Sequence, residues 1–297
     1  MMFEELSDVL DQDTARRSLD ELFVSARQYR SGKDYRNLLE FISRFRSYSM
    51  FNALLVHVQM PGAGYVAPAS RWKRDYHRSI RLGARPLVIL QPMGPVMFVF
   101  DVSDTEPLEG APELPKAVTD PFTVKHGFVA DELKKTVRNA ARDGVLVTEQ
   151  DAGSLSAGSI QPMDPGQTIK FILHEKPQVK FQSVPLLYGV LLNGKQSAET
   201  QYATLVHELG HLYCGHLGTP NLKWWPDRSG LSKKACELEA ESVCYLVCQR
   251  LGIENPSAEY LSTYVKDDDQ LNNISLDYII KSATLIELMG KERLPSR

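Results

Sequence analysis

Cysteine is scarce: the 297-residue chain has four, Cys214, Cys236, Cys244 and Cys248, all in the last third. So few in so long a chain exclude a disulfide framework and read as reduced, mostly buried thiols. Long hydrophobic runs are also missing. The most apolar stretch, residues 86–100, is broken by Pro92 and Pro95 and is too short to span a bilayer. The start, Met1-Met2-Phe3-Glu4-Glu5-Leu6-Ser7-Asp8, is acidic and lacks the basic and apolar regions of an export signal. A soluble cytoplasmic protein with no membrane partner is therefore expected. Internal repeats and low-complexity tracts are absent. The composition, 43% hydrophobic and 24% charged, excludes a mostly disordered, collagen-like or coiled-coil chain. Charge of one sign is not in excess: Lys+Arg 34 against Asp+Glu 37 gives −3, which as a sum argues against a nucleic-acid partner.

The distribution says otherwise. Residues 1–22 carry two Arg against seven acids, and residues 101–297 carry twenty bases against twenty-seven acids. Residues 23–100 carry twelve Lys and Arg against only Asp34, Glu40 and Asp75. A basic first third joined to an acidic remainder points to a polyanion partner for one part.

Apolar residues from Leu38 to Val58 recur mostly at spacings of three and four, which predicts one long helix over 34–59, ended by Pro61-Gly62. A short helix or turn over 70–77 and strands over 86–91 and 96–102 follow, the strands joined through Pro92–Pro95. Residues 104–122 hold four prolines among acids and small residues and read as a linker. Beyond it, strands are expected over 145–148, 168–174 and 186–192, and helices over 131–143, 199–216, 233–251 and 271–289. Strands followed by helices give an α+β class, with domains at 1–110 and 111–297.

The sharpest chemical signal is Thr204-Leu205-Val206-His207-Glu208-Leu209-Gly210-His211, an H-E-x-x-H segment on an apolar helix that Ser197 or Thr200 can cap. At about 100° per residue, His207 and His211 project to one face and can share one ion, with Glu208 beside them as a general base. A catalytic zinc needs a third protein ligand and an open position. Cys236-Glu237-Leu238-Glu239-Ala240-Glu241-Ser242 supplies it: Glu237 and Glu241 share a helix face, while Glu239 points nearly opposite. We take Glu237 as the ligand and Glu241 as the acceptor for a ligand histidine's other nitrogen; the reverse order stays open. Cys214 is a weaker alternative ligand. Tyr213, Tyr260 and Tyr264 are candidate oxyanion donors that nothing in the sequence separates. The expected chemistry is amide hydrolysis by water activated on zinc, with manganese as an alternative ion. The strand over 186–192 is a candidate partner for an extended peptide substrate.

These residues resemble the ImmA/IrrE family of metallo-endopeptidases, in which a helix bearing E-x-x-A-[N/E] follows the H-E-x-x-H helix and its first Glu is the third ligand. The resemblance implies a gluzincin-like, zincin-type domain with that role on Glu237. The first third carries Tyr48-Ser49-Met50-Phe51-Asn52-Ala53-Leu54-Leu55, Gln59, Trp72-Lys73 and Phe100-Asp101-Val102-Ser103-Asp104-Thr105-Glu106. It resembles the N-terminal domain of ArdC-type antirestriction proteins, which implies single-stranded DNA binding. No helix-turn-helix is evident.

Arg71, Trp72, Lys73, Arg74, Arg78 and Arg81, with His77, Arg85 and Tyr76, form the densest basic cluster. Cations beside aromatic platforms are what sequence-tolerant single-strand binding uses. The expectation is thus a DNA-binding-like α+β module followed by a zinc endopeptidase domain, acting on a protein or peptide. The alternative is a non-proteolytic, single-stranded-DNA-binding antirestriction or protective protein with a structural metal site.

Overall fold

The computed structural model describes residues 32–91, 96–119, 129–151, 158–164, 166–174, 178–253, 261, 271 and 273–297. The acidic start at 1–22, the Pro92–Pro95 connection, His126, Tyr260 and Tyr264 lie outside the described residues. The protein is a mixed α and β chain that divides into two compact units, Met1–Val124 and Lys125–Arg297. Among the described residues no helix is long and apolar enough to cross a membrane, and all four cysteines are thiols.

In the first unit, the apolar periodicity over 34–59 belongs to two helices, α1 (Gly32–Arg44) and α2 (Met50–Gln59). Ser49 divides them: its hydroxyl accepts the Asn52 N–H at 3.2 Å and starts a new helix. The spacing carries through the break because Leu38, Ile42, Met50, Leu54 and Leu55 are all buried. After β1 (Val66–Ala67) come α3 (Ala69–Tyr76), β2 (Arg78–Ile80), β3 (Leu87–Ile89), β4 (Met97–Asp101) and β5 (Thr105–Pro107). β4 lies between β1 and β3, antiparallel to both, with Val88 opposite Phe98. β2 pairs with β5. The segment read as a linker thus contributes a strand, then a helical turn α4 (Lys116–Thr119) whose Val118 joins Tyr65, Ala67, Trp72 and Phe100 in the core.

In the second unit, α5 (Ala130–Ala140) runs through a 3-10 turn, Ala141–Asp143, into β6 (Val145–Gln150). Then come β7 (Gly158–Pro162), β8 (Thr168–His174), β9 (Lys180–Pro185) and β10 (Tyr188–Asn193). Three helices close the unit: α6 (Ala198–Tyr213), α7 (Lys233–Leu251) and α8 (Leu276–Lys291). β10 is the middle strand of its sheet, parallel to β6 and antiparallel to β7. It therefore has no free edge for a peptide, contrary to the expectation for 186–192; among the described residues β6 and β7 are the outer strands. β8 and β9 form a separate hairpin.

Candidate metal centre

The site stands where α6 and α7 pack together. Ser197 caps α6 by accepting the Thr200 N–H at 3.3 Å, and Ser232 caps α7 by accepting the Ala235 N–H at 3.3 Å. A glycine inside the H-E-x-x-H segment sets the spacing of the helices. A Cβ on Gly210 would stand 3.3 Å from the Ala240 Cα and 3.4 Å from the Val243 Cβ. The two small residues let the backbones approach, which aims His207 and His211 across at Glu237.

The three side chains converge. The Nε2 atoms of His207 and His211 are 3.1 Å apart, and Glu237 Oε2 lies 3.6 Å from the first and 3.7 Å from the second. An ion held tetrahedrally at about 2.0–2.2 Å sets its ligands roughly 3.3–3.6 Å apart; the trio's 3.1, 3.6 and 3.7 Å lie around that spacing, so small side-chain shifts would let it hold one first-row cation. Two imidazoles and a carboxylate suit zinc or manganese. The side chains are 20%, 14% and 28% exposed, so solvent reaches this face. Glu241 Oε1 lies 3.5 Å from His207 Nδ1, on the side of the ring away from Glu237.

Charge follows the same geometry. Burial opposes a proton on His207, but Glu237 and then Glu241 outweigh it and push the imidazole up to about 9 in the metal-free site. His207 and then His211 hold the Glu237 carboxyl far below the usual carboxylate range. Burial raises the Glu208 carboxyl, opposed by His207, His211 and the Ile160 N–H of β7 that hydrogen-bonds it. A carboxylate shifted towards neutrality, beside the ligands but not among them, suits a general base.

Sequence reasoning missed the support behind His211. Gly215, at φ 84°, turns the chain back after α6, and a Cβ there would meet the Pro226 carbonyl oxygen at 2.2 Å. His216 folds under the motif as a result. Its Nδ1 lies 3.0 Å from His211 Nδ1, and its Nε2 lies 2.9 Å from Glu239 Oε2. Arg228 donates to both oxygens of Glu239 at 2.6 Å, and the Ser275 N–H donates to Oε1 at 2.6 Å. Burial holds the His216 imidazole below its ordinary value despite Glu239. The only signal for this in the sequence is a glycine followed by histidine at the end of the helix.

Cys214 Sγ stands near His216 and Glu239 as well, making a second, fully buried set of possible ligands. It does not join the His207–His211–Glu237 trio. Its thiol, pushed up to about 12 by burial and then by Glu239, lies 3.4 Å from Ser282 Oγ. Tyr213, a candidate oxyanion donor, is buried and donates to Asp143 at 2.8 Å.

In the first unit the basic cluster is only partly a surface. Arg71, Lys73, Arg74 and Arg81 are exposed. Arg78 is half-buried and donates to the Thr105 hydroxyl at 2.7 Å and its carbonyl at 3.0 Å. Asp75 takes up part of the charge, pairing with Arg74 at 2.6 Å and Arg71 at 3.4 Å. Trp72 corrects the expectation of a stacking platform. It is fully buried, its indole donates to the Phe100 carbonyl at 2.9 Å, and it offers no face to a base.

No family model matches the chain, and no curated protein matches it. Among the solved structures that match are two of the antirestriction ArdC protein from the R388 plasmid. The metal-free one is 15% identical and covers 83% of this chain and 86% of its own, with a TM-score of 0.39. The Mn(II)-bound one is 16% identical and covers 82% and 86%, with a TM-score of 0.38. Likeness at this level assigns neither family nor activity.

Proposed function

We propose that the second unit is a divalent-metal hydrolase of the ImmA/IrrE kind, with His207, His211 and Glu237 as ligands and peptide bonds as the substrate class. The observation that carries this reading is the solvent-facing trio with Glu208 beside it: a purely structural site needs ligands but no base. His207, His211 and Glu237 would hold a zinc ion, which would supply Lewis acidity and lower the pKa of water to about 7. Glu208 would act as the general base towards the attacking water and pass the proton to the leaving amine. Glu241, 3.5 Å from His207 Nδ1, would orient that imidazole, on a face that solvent reaches.

The test is cleavage of a panel of denatured proteins by the zinc-loaded chain, with and without chelator, beside Glu208→Gln. The expected result is cleavage by the wild type, lost with chelator and lost in Glu208→Gln while bound metal is kept. Wild-type rates in Glu208→Gln would remove the general-base role.

A second reading is a non-proteolytic antirestriction protein that binds single-stranded DNA and keeps the metal for structure. It is favoured by the exposed Arg71, Lys73, Arg74 and Arg81; the two ArdC proteins are themselves described as antirestriction proteins. Zinc whose removal lowers thermal stability, no cleavage, and DNA binding that weakens with salt and with neutralising those residues would establish it instead.

A further inference from the structure

The buried His216–Glu239–Arg228 group has two chemical readings, a second metal site with Cys214 or a support for the first. Glu239 decides between them. Both of its oxygens already carry Arg228 at 2.6 Å, and one also accepts the Ser275 N–H at 2.6 Å. A cation there would have to displace a partly buried guanidinium that also donates to the Cys214 carbonyl at 3.2 Å and stacks over Tyr278 at 4.8 Å. The carboxylate is already neutralised, so the cluster is closed to a second ion.

We propose that His216 is a positioning residue for the metal: it accepts the Nδ1–H of His211 and is itself held by Glu239 and Arg228, so that His211 presents its Nε2 lone pair to the ion. This rests on reading His207, His211 and Glu237 as the metal ligands, not on peptidase activity. The directions follow from the ligand. A neutral His211 that binds through Nε2 carries its proton on Nδ1, where the 3.0 Å partner is His216 Nδ1. Accepting there, His216 carries its own proton on Nε2 and donates it to Glu239 at 2.9 Å. Each bond in the chain fixes the next, and it ends on a guanidinium that can only donate.

The supports of the two ligand histidines therefore differ. His207 faces a carboxylate directly, Glu241 on α7. His211 reaches one through a second imidazole, and that relay joins the turn after α6, the segment bearing Arg228 and the Ser275 cap of α8. Outer partners of ligand histidines typically contribute 10–100-fold in metal affinity.

The experiment compares the full-length wild type with His216→Phe, His216→Gln and Glu237→Ala. Zinc affinity is measured by competition with a chromophoric chelator, together with stoichiometry and the visible spectrum of the cobalt-loaded protein. His216→Phe is expected to lose about 10–100-fold in affinity and to shift the cobalt bands. His216→Gln, whose amide can accept from His211 and donate to Glu239, is expected to recover most of the affinity. The wild type should bind one zinc per chain. His216→Phe with a native circular dichroism spectrum, unchanged affinity and unchanged cobalt bands would overturn the proposal, as would a second tightly bound zinc. Should His216→Phe fail to fold, nitrogen-15 imidazole spectra of the zinc-loaded wild type decide. A slowly exchanging His211 Nδ1–H supports the relay, and ligation of His211 through Nδ1 overturns it. No difference in zinc affinity between Glu237→Ala and wild type would sink the ligand assignment itself, a failure distinct from loss of the His216 role.

Discussion

Asn52 closes both main-chain groups of Leu90: its side-chain amide donates to the Leu90 carbonyl at 2.9 Å and its side-chain oxygen accepts the Leu90 N–H at 2.9 Å. Two turns along α2, Gln59 does the same for Val88, at 2.8 Å in each direction. The two amides stand in for a strand along the outer edge of β3, whose other side pairs with β4. Uncovered edges invite pairing with other chains. Asn52→Ala combined with Gln59→Ala should cost about 1–3 kcal/mol for each residue and promote self-association. Denaturant midpoints and sedimentation velocity check both, and a stable, monodisperse double variant would show the edge needs no cover.

Trp72 carries a prediction that separates packing from binding. Its indole is enclosed by Tyr65, Tyr76 and the Phe100 carbonyl. Trp72→Ala should cost about 3–5 kcal/mol, read from the denaturant midpoint. Trp72→Phe should lower stability less and leave any single-stranded DNA affinity unchanged at fixed salt. A folded Trp72→Phe with weakened DNA binding would return the residue to the interface.

The sequence made α6, α7 and α8 legible, because each carries a long run of residues rich in apolar side chains and starts on a serine cap. It also placed His207, His211, Glu237 and Glu241 on faces that do meet. It lost β7 and β9, which are short, partly polar and end in proline, and the break at Ser49, which interrupts the backbone but not the apolar spacing. Trp72 could have been read correctly. Helical spacing sets it one turn from Tyr76 and away from Arg71, Lys73 and Arg74, and composition alone made the four look like one surface. Glu239 lies on the face of α7 opposite Glu237, so helical spacing alone excludes it from the ligand set. Its role depends on a left-handed glycine 24 residues earlier, which no helical period encodes. Asn52 and Gln59 were noted only through a resemblance, and their purpose appears once β3 is seen beside them.

Asp143 should control acid stability in the second unit. It is buried and accepts from Arg142, Arg297 and Tyr213 at 2.7–3.0 Å. Burial works against its charge, but Arg297 and Arg142 win and hold the carboxyl below its usual value. A depressed carboxylate contributes stability above about pH 4, its unfolded value, and loses it as pH falls through the folded one. Asp143→Ala should cost about 3–5 kcal/mol at neutral pH by stranding the buried Arg142 guanidinium. It should also flatten the loss of stability below about pH 4. Urea titrations from neutral to acid pH test both, and an unchanged acid limb would assign acid sensitivity elsewhere.

Gly210 tests whether helix spacing sets the metal site. Leucine there must push on the Ala240 backbone and Val243, already 3.3–3.4 Å from a Cβ. Overpacking of this kind typically costs about 1–3 kcal/mol, and the shift of α7 carries Glu237 away from both imidazoles. Gly210→Leu should therefore lose zinc affinity beyond what its stability loss explains, whereas Gly210→Ala should lose less of both. Equal zinc affinity in Gly210→Leu and wild type would mean that the ligands converge without close helix packing.

Proton release should accompany metal binding. In the metal-free chain Glu237 helps push His207 up to about 9, above the unfolded value of about 6.5. The sign follows: this contribution is fully present below about pH 6.5 and is lost as pH rises through 9. Metal-free protein should therefore lose stability towards alkaline pH over that window. Zinc-loaded protein should not, because the ion takes the place of the proton that titrates in this window. Below pH 9 the ion must displace that proton, so zinc binding near pH 7.5 should release about one proton from His207. Apparent affinity should rise roughly tenfold per pH unit between about 6.5 and 9. Calorimetry in buffers of different ionisation enthalpy measures the release directly. In Glu237→Gln, His207 loses its carboxylate partner and titrates lower, so both the proton release near pH 7.5 and the alkaline loss of stability should shrink. Release unchanged in that variant would place the displaced proton on a group other than the His207–Glu237 pair.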